Sequence, residues 1–280
     1  MSVAQDIHQT RVERNQLAIF YLAQAGFCFK TSAGTRVLLD PYLTDACNAR
    51  FGFRRMLPVL MTPEEARADL LVATHSHADH LDPDALPIFA KRAELRFAGS
   101  ADCAASFAAC GIPPSRFDLL RFGAQLKFRD VELRAVYANH GELCPTAIGV
   151  VIRVEGIVIY VTGDTAYAPE RIMPSLGGVK VDVMIAPING QYGNLNARDA
   201  CRLAALVKPR VLIASHFGMF VEHAGAGGDP AAFLLEAASL PDDVSDCVMA
   251  PGERLIVTRN GSDVRVLSSR SKDPVRGGHP

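Results

Sequence analysis

Residues 74–80 read "THSHADH" and place three histidines and an aspartate in one short stretch of a chain with eight histidines in all. His75 and His77 are two positions apart, so extended backbone points both side chains the same way. Asp79 and His80 follow one turn later and can face a second point in space. Imidazole and carboxylate are common ligands of zinc, manganese and iron. This stretch alone cannot complete a site of roughly four to six ligands. It therefore predicts partners elsewhere in the chain.

The missing ligands are expected at the ends of other strands. In packed α/β folds, functional side chains lie on loops that leave the carboxyl ends of strands, where the sheet edge is open and rigidly held. The predicted strand "DLLVAT" leads to His75, and "VELRAVYAN", "IVIYVTG" and "RVLIAS" lead to His140, Asp164 and His216. His223 is the rival of His216, but it lies further from a strand end, in a glycine-rich stretch that favours a substrate-facing role.

Each of these residues also has a purely structural interpretation. A single histidine after a strand is often a hydrogen-bonded structural residue, and Asp164 in "TGDT" is suited to cap a helix or turn. The H-x-H-x-D-H cluster is different. Without a metal, so many titratable groups in one apolar-flanked stretch would lose solvation and repel one another. The cluster therefore predicts a metal site, and with it ligand roles for His140, Asp164 and His216.

Composition argues against several classes of function. The 29 basic and 30 acidic residues leave a formal net charge of −1, and no long basic run points to nucleic acid or a membrane as partner. The N-terminus lacks the apolar core of a signal peptide, and no apolar stretch is long enough to span a bilayer. The seven cysteines are scattered without a C-x-x-C pair, which is typical of reduced thiols. We expect a cytoplasmic protein with a small-molecule substrate, either as a monomer or as a homo-oligomer.

The order of predicted elements favours a single α/β domain over residues 1–280, with a core at about 17–258 and solvated tails at both ends. Hairpins followed by alternating strands and helices occur twice, which predicts two mixed sheets packed face to face with helices outside. A helix is predicted to begin at Pro83 with Asp82 as its N-cap. Residues 44–68 form a less regular stretch with a short helical piece at "PEEARA".

The order of the motifs resembles that of a known family. "THSHADH", a later "NH" after a strand, "TGDT", and "SH" after a strand are similar, over about residues 17–258, to the metallo-β-lactamase superfamily of metal-dependent hydrolases. "LLDPYL", "GDTAYAPE" and "DVMIAPINGQYGNLNARDA" look more narrowly like the branch that includes L-ascorbate-6-phosphate lactonase. That group has a longer N-terminus and favours a carboxylate where this chain has His140. The resemblance implies an αββα sandwich.

The resemblance also implies a site with two divalent ions, either zinc or manganese, with iron as a further choice. Carried over by position, the first ion would be held by His75, His77 and His140. The second would be held by Asp79, His80 and His216, and Asp164 would bridge the two.

Such a site predicts hydrolysis. Two divalent ions roughly 3.5–4 Å apart can bridge one water and lower its pKa towards neutrality. The resulting hydroxide is expected to attack the carbonyl of a lactone or similar small acyl substrate, sugar-derived or phosphorylated. Asp79 is the predicted catalytic residue, because it would both ligate and orient the nucleophile. Phosphodiester hydrolysis on the same site is one alternative, and a non-catalytic metal-binding protein is the other.

Substrate contacts are expected from a loop with the sequence "NGQYGNLN", which follows the predicted strand "VDVMIAPI". Polar groups in this position can bind substrate or a developing oxyanion. The other interpretation is a turn-rich loop that ends in a helix cap at Asn196. The candidates in the loop are Asn189, Tyr192 and Asn194, and the candidates to meet an anionic group on the substrate are Arg54, Arg55 and His223.

Overall fold

The computed structural model describes residues 1–223, 228–261 and 263–269, and it contains two β-sheets with helices on their outer faces. The α/β sandwich predicted from the sequence is confirmed. The predicted C-terminal tail at 271–280 lies outside the described residues. In the described ranges, no helix combines the length and apolar character that a membrane crossing requires.

The described residues fold into short strands and helices. The strands are β1 (Gln16–Tyr21), β2 (Phe27–Thr31), β3 (Arg36–Leu39), β4 (Leu70–Ala73), β5 (Arg96–Gly99), β6 (Phe117–Leu119), β7 (Gln125–Phe128), β8 (Val131–Tyr137), β9 (Ile148–Val154), β10 (Ile157–Val161), β11 (Val183–Pro187), β12 (Val211–Ser215), β13 (Ser245–Cys247), β14 (Arg254–Asn260) and β15 (Asp263–Ser268). The helices are α1 (Val3–Gln9), α2 (Ala46–Phe51), α3 (Leu86–Ala90), α4 (Cys103–Ala109), α5 (Pro169–Leu176), α6 (Ala197–Val207) and α7 (Pro230–Ala237).

Both sheets are antiparallel on one side and parallel on the other. The first sheet has the strand order β15-β14-β1-β2-β3-β4-β5-β6, with parallel pairing from β3 to β6. The second has the order β13-β12-β11-β10-β9-β8-β7, with parallel pairing from β10 to β13. Because antiparallel neighbours alternate in direction, β1 runs with β3 to β6, and β8 runs with β10 to β13. The loops after these strands therefore leave a common edge of each sheet.

Alternation along the strands divides the core into layers. In β1, Leu17 and Ile19 pack between the two sheets, whereas Ala18 and Phe20 face the outer helices. β10 follows the same rule, with Ile159 between the sheets and Tyr160 under the helices of the second sheet. Each large side chain buried in this way contributes roughly 1.5–3 kcal/mol relative to an exposed one. The shared central layer fixes the position of one sheet edge relative to the other.

Several local predictions were wrong. The predicted N-terminal tail contains α1, which begins with a capping box between Ser2 and Gln5 and buries Ile7. The sheet also continues past residue 258 into β15. The helix expected at Pro83 begins at Leu86.

A second proline explains the late start of α3. In a helix beginning at Pro83, Pro87 would have to donate to the Pro83 carbonyl, and proline has no N–H. Asp82 still acts as a cap, because its Oδ1 accepts from the backbone N–H groups of Asp84 and Ala85 at 3.0 and 3.1 Å. Residues 44–68 do contain a helix, but it is α2. The stretch "PEEARA" contains only a turn.

Candidate metal centre

Three histidines from two strand ends meet above the common edge of the sheets. His75 and His77 follow β4, and His140 follows β8. The Nδ1 atom of His77 lies 3.0 Å from Nε2 of His75 and 3.3 Å from Nε2 of His140. These distances bring three ring nitrogens to one point, so the structure assembles the first predicted triad.

The second predicted triad is also assembled. Asp79 and His80 come from the same loop as the first histidines, and His216 follows β12 of the other sheet. The Oδ2 atom of Asp79 lies 3.2 Å from Nε2 of His216 and 3.8 Å from Nε2 of His80. The split of "THSHADH" between two points in space is thus present in the folded chain.

Asp164 lies between the two triads. Its Oδ1 is 3.4 Å from Nε2 of His80, and its Oδ2 is 3.3 Å from Nε2 of His216 and 4.0 Å from Nε2 of His140. The preceding Gly163 has a φ of +63°, and a Cβ built there would lie 2.5 Å from the carbonyl oxygen of Ile148. Only glycine fits this turn without displacement of backbone, and the turn aims Asp164 into the cluster.

The seven residues fit divalent metal ions. Three overlapping groups of donor atoms, each within 4.8 Å of one another, are formed by His75, His77 and His140, by His75, His80 and Asp164, and by Asp79, His80 and His216. The strongest observation is Nε2 of His80, which is buried and has no hydrogen-bond partner in the part of the chain that the structure describes. A buried nitrogen that points at two carboxylates without a hydrogen bond is suited to bind a cation.

A residue that the sequence analysis missed, Asp40, orients His80. Asp40 follows β3 and is buried, and its Oδ2 lies 2.9 Å from Nδ1 of His80. The same carboxylate accepts hydrogen bonds from N and Oγ1 of Thr74, both at 2.7 Å. A carboxylate on one ring nitrogen fixes the histidine tautomer in which the other nitrogen carries a lone pair towards a metal. The sequence signal that could have identified Asp40 is its position directly after a strand.

Gln24 is a second residue that sequence reasoning missed. The apolar run "LAIFYLAQAGFCFKT" contains two strands, β1 and β2, which are joined through Ala23 and Gln24. The side-chain Nε2 of Gln24 donates to Oδ2 of Asp79 at 2.9 Å, and the backbone carbonyl oxygen of Gln24 accepts from N of His216 at 2.7 Å. Gln24, Asp40 and His216 all have positive φ, at 52°, 46° and 57°. Non-glycine residues in this region cluster at functional sites.

Asp102 ties together the two loops that carry the first triad. It follows β5, and its Oδ2 accepts from N of Ser76 at 2.9 Å, in the loop of His75 and His77. Its Oδ1 accepts from Oγ1 of Thr146 at 2.6 Å, beyond His140. Burial alone would raise the pKa of this carboxyl, but its hydrogen bonds hold the pKa well below the usual range. An ionised Asp102 therefore fixes the spacing of the first triad.

The histidines of the cluster differ in their pKa values. Burial holds the pKa of His75 well below its usual value, so that ring is neutral. Burial opposes the charging of His80 and His216 as well, but the carboxylates of Asp164 and Asp79 outweigh it. They raise the pKa of His80 well above normal and that of His216 to about 9. Metal binding must therefore displace protons from these two rings.

A cavity of about 180 Å³ opens onto the cluster. Its floor carries predicted ligands, and its walls are largely aromatic. The lining residues are Cys47, Phe51, Phe53, His77, Ala78, Asp79, His140, Leu143, Asp164, Tyr192, His216, Phe220 and His223. The cluster is thus open to a small molecule on one side.

The predicted substrate contacts separate into three positions. Tyr192 and His223 line the cavity, and the Tyr192 hydroxyl lies 3.1 Å from Nε2 of His223. Asn194 is buried behind the cluster, where its Nδ2 donates to Oδ2 of Asp164 at 2.7 Å. Asn189 lines the neighbouring cavity. The other interpretation of this loop is also realised, because Asn196 caps α6.

The two arginines proposed to meet an anion are engaged elsewhere. Arg54 forms an ion pair with Glu222 at 2.7 Å. Arg55 donates to the carbonyl oxygens of Leu57 and Thr44 at 3.1 and 2.8 Å. Neither arginine lines the cavity above the cluster.

Comparison with known families gives a match over most of the chain. The sequence profile of the family described as "Beta-lactamase superfamily domain" matches residues 18–216. This span contains all seven predicted ligands, from His75 to His216.

Individual relatives are similar along most of their length. A UPF0173 metal-dependent hydrolase of Archaeoglobus fulgidus is 29% identical over 254 residues, which cover 85% of this chain and 97% of that protein. One of Anaeromyxobacter dehalogenans is 28% identical over 232 residues, which cover 78% of this chain and 80% of the relative. Among solved structures, Igni18, described as a novel metallo hydrolase from Ignicoccus hospitalis, has a TM-score of 0.71 at 23% identity, covering 88% of this chain and 100% of the other. The structural likeness shows a shared fold.

Proposed function

This chain belongs to the beta-lactamase superfamily domain family, and from that premise we propose that it is a metal-dependent hydrolase of small acyl substrates. The observation that carries the proposal is the convergence of two ligand triads and Asp164 on the floor of an open cavity. The curated relatives described as metal-dependent hydrolases support the same reaction class.

The proposed ligand assignment follows the geometry. His75, His77 and His140 would hold one divalent ion, Asp79, His80 and His216 a second, and Asp164 would contact both. Ions bound there would lower the pKa of a water and polarise an oxygen of the substrate. Mixed imidazole and carboxylate ligands suit zinc, manganese and iron.

The chain's own residues position the reacting groups. Asp79 reaches the cavity, and the Gln24 amide holds its Oδ2, so its carboxylate is placed to orient the attacking water. Asp40 fixes the tautomer of His80. Tyr192 and His223 line the same cavity and supply polar groups that a bound substrate can meet.

For a lactone, the proposed reaction adds water across one bond. The oxygen of water forms a bond to the carbonyl carbon, the ring carbon–oxygen bond breaks, and a proton of the water passes to the released alcohol oxygen. A carboxylic acid and an alcohol are the two ends of the product. We propose the lactone over a phosphodiester because the cavity is small and largely apolar.

Seven free cysteines in the described residues are in keeping with a cytoplasmic location.

The test combines metal analysis with a substrate panel. Protein purified without added metal is assayed for bound ions, then reloaded with Zn²⁺ or Mn²⁺ and offered lactones, aryl esters and bis-p-nitrophenyl phosphate. The proposal expects turnover of an acyl substrate that is lost in His75→Ala. Turnover of the phosphodiester alone would reject the acyl assignment. Stoichiometric metal without turnover of any class would favour the non-catalytic alternative.

A further inference from the structure

The cavity above the cluster is bounded by an aromatic group. Phe53 is at its centre, with its ring centroid 5.9 Å from Phe51, 5.7 Å from Phe220 and 4.6 Å from the imidazole of His223. All four residues line the cavity. Rings at these separations form a continuous apolar surface that can receive another ring.

Part of this apolar surface is exposed to solvent. Phe51, Leu143 and Tyr192 line the cavity, and yet they are 59%, 57% and 52% exposed. Large apolar side chains grouped around one concave surface are typical of ligand-binding sites, because exposure costs free energy that a bound ligand recovers. No neighbouring segment among the described residues buries these three side chains.

The cavity wall also differs from sites that bind a phosphate or carboxylate through a permanently charged side chain. No lysine or arginine is among its lining residues in the described ranges. The guanidinium of Arg54 is paired with Glu222, and that of Arg55 stacks 4.8 Å from the ring centroid of Tyr42. An anionic tail on the substrate would therefore have no lysine or arginine as counter-ion in the described wall of the cavity, which is largely aromatic.

Size limits the substrate further. The volume of about 180 Å³ is below the roughly 300–1,000 Å³ typical of drug-sized ligand sites. It suits one ring or a short branched chain together with the group that reacts on the floor of the cavity.

We propose that the substrate is a small uncharged compound whose ring-sized apolar group packs against Phe53, Phe51 and Phe220 while its reactive carbonyl faces the histidine cluster. This inference rests on the proposed function, and it defines the substrate class of the same site. It excludes the phosphorylated substrates suggested by the resemblance to L-ascorbate-6-phosphate lactonase.

The experiment measures binding and needs no turnover. Hydroxamates chelate metal ions in hydrolase sites, so calorimetric titration of the metal-loaded protein compares acetohydroxamate, benzohydroxamate and phosphonoacetohydroxamate. The phenyl ring is expected to tighten binding about 10- to 70-fold, as when roughly 60–100 Å² of apolar surface leaves water. The anionic compound is expected to bind no tighter than acetohydroxamate.

Variants localise the effect. Phe53→Ala and Phe51→Ala are expected to remove most of the advantage of benzohydroxamate over acetohydroxamate. Phe51 is largely exposed, so its variant retains the fold if Phe53→Ala does not. Phe122→Ala is the matched control, because Phe122 is 65% exposed and does not line this cavity.

The outcomes separate the two proposals. If no hydroxamate binds, the metal-dependent function itself fails. If all three bind with equal affinity, or if the phosphonate binds tightest, the hydrolase assignment stands and the apolar substrate class is rejected. A benzohydroxamate advantage that persists in both phenylalanine variants would reject the assignment of this aromatic group as its binding surface.

Discussion

Replacement of Asp40 by asparagine tests whether the carboxylate behind His80 controls metal binding. In the native chain, Oδ1 accepts from N of Thr74, while Oδ2 accepts from Oγ1 of Thr74 and lies 2.9 Å from Nδ1 of His80. An asparagine that keeps its oxygen towards the Thr74 amide turns its NH₂ group towards His80. His80 must then accept at Nδ1, which moves its proton to Nε2, the atom that faces Asp79 and Asp164.

The opposite orientation of the asparagine is no better. Its NH₂ group would face the backbone N–H of Thr74, which leaves two buried donors opposed. Such an unmade hydrogen bond costs roughly 1–3 kcal/mol. Backbone strain is not a confounding factor, because Asp40 has a φ of 46° and asparagine tolerates this region as well as aspartate does. The first orientation therefore places the proton of His80 on the wrong nitrogen, and the second holds His80 less firmly.

We expect Asp40→Asn to weaken metal binding by about 10- to 100-fold, the usual cost of losing a residue that orients a metal ligand. This corresponds to roughly 1.4–2.7 kcal/mol. Competition with a chromophoric chelator measures the affinity, and elemental analysis gives the stoichiometry. Asp182→Asn is the matched control: Asp182 is equally buried, but its Oδ2 accepts from N of Val158 at 2.8 Å and pairs with Arg259, away from the cluster.

The control separates two explanations. Asp182→Asn should lower thermal stability and leave metal affinity unchanged, whereas Asp40→Asn should lower metal affinity beyond any change in stability. Native affinity and stoichiometry in Asp40→Asn would refute the role assigned to this carboxylate.

Three other perturbations probe the same geometry. Metal affinity should rise as the pH is raised from 6 to 9, because His80 and His216 must lose protons to bind an ion. Burial alone would lower the pKa of His216, but the carboxylates of Asp164 and Asp79 raise it to about 9 in the metal-free protein. Chelator competition at several pH values measures the affinity, and a flat profile contradicts the prediction. Asp102→Ala should lower the melting temperature by about 2–10 °C and weaken metal binding, since the backbone N–H of Ser76 and the hydroxyl of Thr146 lose their acceptor. Unchanged melting and affinity would show that the two loops hold their spacing alone. Gly163→Ala should destabilise the fold by about 2 kcal/mol or more in denaturant titration, because its Cβ would meet the Ile148 carbonyl oxygen. Gly34→Ala is the control, because Gly34 also has a positive φ but has open space around it. An equal loss of stability in both variants would assign the effect to φ alone.

The architecture could be predicted because the chain's patterns are strong. Alternating and continuous apolar strands, glycine turns and strand-end polar residues all point to the same fold, so His75, His140, Asp164 and His216 could be placed at one edge from the sequence alone. A histidine that follows a parallel strand lies at the carboxyl edge of the sheet, where the other strand-end residues also lie.

The supporting residues were harder to predict, since their signals compete with ordinary turn chemistry. Asp40 precedes Pro41 and resembles a strand terminator, and Gln24 lies in an apolar run that resembles one continuous strand. The break at Gln24 depends on left-handed backbone at Ala23 and Gln24, which neither residue type favours. Asp102 precedes a helix, where aspartate is common as a cap. Its bonds to Ser76 and Thr146 depend on tertiary contacts that no local pattern encodes.

The distribution of the ligands between the two sheets also has a mechanical consequence. His75, His77, Asp79 and His80 leave the first sheet, whereas His140, Asp164 and His216 leave the second, and His75 and His216 are about 140 residues apart in the chain. Ions held jointly by these side chains would act as a cross-link between the halves of the sandwich. A covalent bridge closing a loop of that length restricts the unfolded chain by about 4–5 kcal/mol. The metal centre would thus also stabilise the packing of one sheet against the other. Removal of the ions would reversibly lower the free energy of unfolding of the whole sandwich.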